Sequence, residues 1–120
     1  KAAIDWLSAF DRDEVMAHEH ALYVRAHDAL KSINSLRIHG EATNKGSILT
    51  FSLGTAHAHD VAQILDRYNV AVRAGTHCAE PLMTRLGVTS TVRASIALYN
   101  TEEEIDVLAE AVAKAQSFFA

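Results

Sequence analysis

Cys78 is the only cysteine among 120 residues. It sits in the run Arg73-Ala-Gly-Thr-His-Cys-Ala-Glu-Pro-Leu-Met83. His77 precedes it directly, Arg73 stands five residues before it, and a short helix is expected just after it. A thiol is a nucleophile only as the thiolate, and cationic neighbours with a helix N-terminus are the features that favour that form. The chemistry on offer is attack on an electrophilic carbon or sulfur. The opposing reading is that a free cysteine is a small buried hydrophobe. The glycine, threonine and histidine around Cys78 place it in a turn and not in an apolar stripe, which leaves both readings open.

Arg93 and Arg73 are the next candidates. A guanidinium fork matches a carboxylate better than a lysine does. An arginine in a short strand is more often a solvated edge residue or a surface ion pair, and the pattern alone favours that structural reading of Arg93. His77 is placed to raise the thiolate fraction of Cys78 or to pass a proton. The other six histidines offer less. His57 and His59 form a His-x-His pair at a helix start, but two ligands do not close a metal site and no second cysteine is available. No metal site is expected. His18, His20 and His27 fall on a helix as solvated or partly packed residues. No glycine-rich phosphate loop is present.

These residues need elements to hold them. Asp11 with Glu14 reads as a capping box, opening a helix to about Ser32 with Val15, Leu22, Ala26, Ala29 and Ile33 on one face. Leu36–His39 reads as a short strand and Ser47–Leu53 as another, with Leu49, Phe51 and Leu53 on one side. Val61, Ile64, Leu65 and Tyr68 mark a helix that Asn69 ends. Val70–Arg73 is expected as a strand feeding the Gly75–Cys78 loop. Ala79–Leu86 is a short helix with Pro81 in its first turn and Gly87 as its stop. Thr91–Leu98 is a strand with Arg93, Ser95 and Ala97 on one face and Val92, Ala94 and Ile96 on the other. Thr101 with Glu104 caps the last helix, whose stripe is Ile105, Leu108, Val112, Ala115 and Phe119. The fold class is α+β: a small, mostly antiparallel sheet with helices packed on one side.

The composition is that of one globular domain, 49% hydrophobic and 22% charged. The net charge of −4 argues against nucleic acid as a partner. No apolar run approaches a bilayer span. A lone cysteine fits a reducing, cytoplasmic setting better than secretion. The chain starts at Lys1 with a helix already under way, so it is expected to be a piece of something longer.

Taken together, the Arg73–Met83 motif, Val92-Arg93-Ala94-Ser95 and Tyr99-Asn100-Thr101-Glu102-Glu103-Glu104-Ile105 closely resemble the C-terminal region of cysteine desulfurases. These are pyridoxal-phosphate enzymes of the class V aminotransferase group. The Arg-x-Gly-x-His-Cys-Ala-x-Pro-Leu form is similar to the SUF-type branch, which includes selenocysteine-lyase-like members. The resemblance implies that Cys78 takes sulfur from L-cysteine as a persulfide, that alanine departs, and that the sulfur passes to a SUF acceptor protein for iron–sulfur cluster assembly. It implies that Arg93 holds the substrate carboxylate, that Arg73 lies near the persulfide site, and that His77 is a supporting motif residue. It also implies a homodimer and the small domain of a fold-type I enzyme spanning residues 1–120. The family's cofactor lysine follows a histidine, and Lys1, Lys31, Lys45 and Lys114 have no such context. The cofactor-holding residues are therefore expected outside this chain, and the isolated chain is expected to be inactive. A free-standing sulfur acceptor or partner-docking module, and an aminotransferase-like domain with a structural cysteine, are the alternatives.

Overall fold

A computed structural model describes residues 1–120. The chain runs α1 (Ala2–Leu7), α2 (Arg12–Lys31), β1 (Leu36–His39), β2 (Ile48–Leu53), α3 (Ala58–Asp66), β3 (Arg73–Gly75), α4 (Glu80–Leu86), β4 (Thr91–Ser95) and α5 (Glu102–Phe119). The strands form one sheet in the order β1-β2-β4-β3, antiparallel at every pairing. Helices α2 and α3 pack on that sheet, and α5 packs against both of them. This is the α+β architecture that the periodicities predict. No helix is long and apolar enough to cross a membrane.

Strand alternation divides the sheet chemically. Side chains of directly paired residues share a face, and the face changes with each residue. Leu49, Phe51 and Leu53 of β2 pair with Ala94, Val92 and Leu36 respectively. That face meets the helices, where Leu22, Ala26, Leu30, Val61, Leu65, Ile105, Leu108, Ala111, Val112 and Ala115 complete the core. The opposite face carries Arg37, His39, Thr50, Ser52, Thr91, Arg93 and Arg73. No strand contains an aspartate or glutamate. The short helix α4 is the exception to one-sided packing: it lies on this polar side, where its Met83 reaches Thr91.

Local signals set the helix ends. Asp11 accepts hydrogen bonds from the N–H groups of Asp13 and Glu14 and caps α2. The Glu14 side chain returns no bond, so the expected box is one-sided. At α5 the box is complete: Glu104 donates its N–H to the Thr101 hydroxyl and its carboxylate accepts from the Thr101 N–H. Gly87 ends α4 at φ 71°, and Asn69 follows α3 at φ 60°.

Four expectations shift. The strand expected at Val70–Arg73 is Arg73–Gly75, because Val70 and Val72 pack on the core without joining the ladder. An open groove of about 300 Å³ separates them from Ser95, Ile96 and the start of α5. The strand expected to reach Leu98 ends at Ser95, where the Asn100 side chain accepts the Ala97 N–H and bends the chain into a turn. Phe119 is exposed, since α5 outruns the sheet: 18 residues rise about 27 Å, and strands of this size cover less. Leu30 and Ala111 are core residues that the stripes above do not include.

Phe51 is fully buried, so Phe51→Ala should lower the unfolding free energy by about 3–5 kcal/mol. Thr101→Ala, which removes only a cap, should cost about 1 kcal/mol. Chemical denaturation of the two variants checks the contrast, and equal losses would contradict a core centred on β2.

Candidate active site

The polar face of the sheet ends in a turn that presents Cys78. β3 stops at Gly75, and the Ala79 N–H donates to the Thr76 carbonyl at 2.9 Å, closing a four-residue turn. Its central residues, His77 and Cys78, both have positive φ, 55° and 58°. That is the backbone of a mirror-image type I turn, whose central positions normally take glycine, asparagine or aspartate. Two side-chain-bearing residues there cost about 1–3 kcal/mol each, and such strain persists where surrounding contacts hold it. The Cys78 side chain is exposed. It borders an open cleft of about 420 Å³ whose wall includes His57, His59, Arg73, His77 and Ser90. The buried-hydrophobe reading of this cysteine does not hold.

Arg73 and Arg93 are directly opposite each other on the β3–β4 ladder. Like charges in that relation repel. Neither takes part in any ion pair of the chain. Arg93 is half-buried, and its Nε is buried without a hydrogen-bond partner. An unsatisfied charged donor is expensive, and an anionic ligand would relieve it. Of the two, Arg73 lines the Cys78 cleft, while Arg93 is not among its wall residues.

His77 is a brace and not a cation. Its Nε2 lies 3.2 Å from the Thr91 carbonyl oxygen and 3.0 Å from the Thr91 hydroxyl. Burial pushes its pKa below the usual histidine value, Arg93 and Arg73 push it further the same way, and the Thr91 hydrogen bond only partly opposes them. The imidazole is therefore neutral at pH 7, and the positive charge in the cleft is that of Arg73. This favours the positional role of His77 over charge support of a thiolate.

Of the other histidines, His57 caps α3 by accepting the His59 N–H, and its ring stacks on that of His59. Both reach the Cys78 cleft, a proximity that the spacing did not reveal. Among the metal-binding residue types, no group of three or more comes together. His18 bonds the Asn100 carbonyl, and His27 lies against Asp28 and Glu41. His20 stacks on Tyr23. Thr91 is the residue the sequence reading passed over. The available signal was its position two before Arg93, on the same strand face.

Residues 1–108 match the aminotransferase class-V family, and the chain belongs to that family. It is 44% identical over 120 residues to a probable cysteine desulfurase of Streptomyces coelicolor, and 46% identical over 118 residues to one of Halalkalibacterium halodurans. Each alignment covers 98% of this chain and 29% of the relative. The crystal structure of the Escherichia coli cysteine desulfurase CsdA, in an S-sulfonic acid form, superposes with a TM-score of 0.89 at 37% identity, over 98% of this chain and 29% of that one. The apo cysteine desulfurase of Thermococcus onnurineus gives 0.91 at 30% identity, over 98% and 30%. The chain thus spans under a third of the length of these relatives.

Class V aminotransferases are generally pyridoxal-phosphate enzymes, and the residues here do not by themselves fit that cofactor. No lysine lines the Cys78 cleft. Lys45 bonds the Gly40 carbonyl, Lys114 lies over Tyr68, Lys1 pairs with Asp5, and Lys31 borders a different groove beside Arg37 and His39.

Two measurements follow. Cys78→Gly relieves a positive φ that Cys78→Ala retains, so the glycine variant should be the more stable by up to about 1 kcal/mol. The usual loss on replacing alanine by glycine would show the turn to be unstrained. His39, lowered by burial and then by Arg37, and His77 both resist protonation in the fold. The unfolded chain then binds more protons below the ordinary histidine value of 6.5. Stability should be full above that pH and decline as the pH falls toward the folded values. Thermal midpoints that stay flat from neutral pH to about 5.5 would contradict this assignment.

Proposed function

We propose that this chain is the small, nucleophile-bearing domain of a SUF-type cysteine desulfurase, with residues 1–120 as one domain and the cofactor-holding residues elsewhere in the full enzyme. The observation that carries the reading is an exposed Cys78 on a strained turn, in one cleft with Arg73, whose ladder partner is the unpaired Arg93. Family membership and the names of the relatives support it.

In the proposed reaction L-cysteine binds with its carboxylate on the Arg93 fork. Arg73, opposite on the ladder, adds positive charge on the cleft side. The Cys78 thiolate attacks the substrate sulfur, an S–S bond forms, and the substrate C–S bond breaks with its electron pair passing to carbon. That carbon takes a proton, L-alanine leaves, and Cys78 keeps the sulfur as a persulfide. Pyridoxal phosphate, held by residues outside this chain, would supply the electron sink for that bond in the full enzyme. The exposure of Cys78 then lets an acceptor protein of the SUF system collect the sulfur for iron–sulfur cluster assembly. The full enzyme is proposed to be a cytoplasmic homodimer.

In the intact enzyme, Cys78→Ala should abolish alanine release while cofactor absorbance is retained. Undiminished turnover would retire the assignment. Arg93→Ala should raise KM for L-cysteine about 10- to 100-fold, as expected for a lost charged hydrogen bond, with a smaller effect on kcat. The 120-residue chain alone, mixed with pyridoxal phosphate and L-cysteine, should form no stable absorbing adduct and no alanine. Turnover by it would place the whole activity in this domain.

A further inference from the structure

We propose that Thr91 is a positioning residue for Cys78 and acts through His77, clamping the imidazole so that the Thr76–Ala79 turn keeps the backbone form that turns the thiol outward. The proposal rests on Cys78 being the nucleophile.

Thr91 is fully buried, one of two buried polar residues in the chain. It opens β4 and is paired with Gly75, the last residue of β3. Backbone pairing to the sheet therefore stops where the Cys78 turn begins. The one hydrogen bond closing that turn, Ala79 N–H to Thr76 C=O, lies within it. What ties the turn back to the sheet is the His77 side chain.

The hydrogen-bond roles are determined by the carbonyl, which can only accept. His77 Nε2, at 3.2 Å from the Thr91 carbonyl oxygen, must carry the proton and donates to it and to the hydroxyl oxygen at 3.0 Å. The Thr91 hydroxyl then directs its own proton to Met83 Sδ of α4, at 3.9 Å. His77 Nδ1 is left as a bare acceptor, and it is buried with no partner. One side chain thus joins β4 to the segments on both sides of Cys78. Thr91 also shares its strand face with Arg93, two residues on. Two residues of strand rise span about 6.6 Å, so one rigid strand sets the spacing between the carboxylate clamp and the anchor of the nucleophile.

The test uses the intact enzyme. Thr91→Val keeps the β-branched shape and removes the hydroxyl. Single-turnover persulfide formation should fall by about tenfold to a hundredfold, while KM for L-cysteine stays within about twofold because Arg93 is untouched. Thr91→Ser should restore the rate to within about twofold of wild type. In a His77→Ala background, Thr91→Val should add nothing, because both changes break the same link. Wild-type rates in Thr91→Val, a loss that serine does not rescue, or a full additional loss on top of His77→Ala would each overturn the proposal. Should Thr91→Val not fold, Thr91→Ser decides alone, with near-wild-type rates supporting the clamp and a tenfold loss refuting it. Ring ¹⁵N shifts of His77 separate this from the functional reading. If Cys78→Ala still released alanine, the reading of Cys78 would fall, yet a changed Nε2–H shift in Thr91→Val, where Nε2 keeps the carbonyl acceptor and loses the hydroxyl, would still support the clamp and an unchanged shift would still refute it.

Discussion

Arg73 and Arg93 stand opposite each other across the β3–β4 ladder with no carboxylate to balance them. Most other features of the polar face answer to that constraint. In a chain of net charge −4, strands without acidic residues keep a local positive field intact. Burial first, and this field after it, lower the pKa of His77, which leaves the imidazole to serve as a fixed hydrogen-bonding strut. It also gives the cleft beside Cys78 a positive wall at Arg73, at the cost of repulsion between the two guanidinium groups. A structural ion pair would have removed that repulsion, and none is built.

The sheet reconciles the two demands by alternation. Val92 and Ala94 are buried under the helices, while Thr91 and Arg93 on the same strand face the other way. Core packing on one side gives the rigidity, and rigidity on the other side lets paired charges and a strained turn persist. The residues that stabilise the domain and those assigned to chemistry are neighbours in sequence but are separated by the sheet. Substitutions such as Phe51→Ala and Arg93→Ala therefore report on different properties, even though Phe51 pairs with Val92, the neighbour of Arg93.

The turn at His77 and Cys78 concentrates the strain where the reactive group is. Glycine or asparagine would occupy those positions at less cost. The chain instead retains a histidine, whose ring reaches Thr91, and a cysteine, whose thiol faces the cleft. The loop is ordered by one side-chain strut and one short helix, and the α5 capping box and the Arg25–Asp106 pair between α2 and α5 stabilise the opposite layer.

Much of this was readable one residue at a time. Helix starts at Asp11 and Thr101, the stop at Gly87, and the apolar face of β2 depend on local propensity and spacing, and all appear where expected. Cys78, Arg73 and His77 could be named as candidates because a motif is a run of neighbours, and Arg93 because of its residue type in a strand. Local pattern could not supply the ladder register. That register moved β3 to Arg73–Gly75 and set Arg73 against Arg93, since strand pairing is decided by what β4 offers and by where Asn100 bends the chain away. Nor could it show His57 and His59 beside Cys78, or Thr91 under His77: each pair joins distant segments through side chains that meet only after the sheet closes. Which side chains can react was visible in the residue types, while which way they face and what braces them was decided by packing.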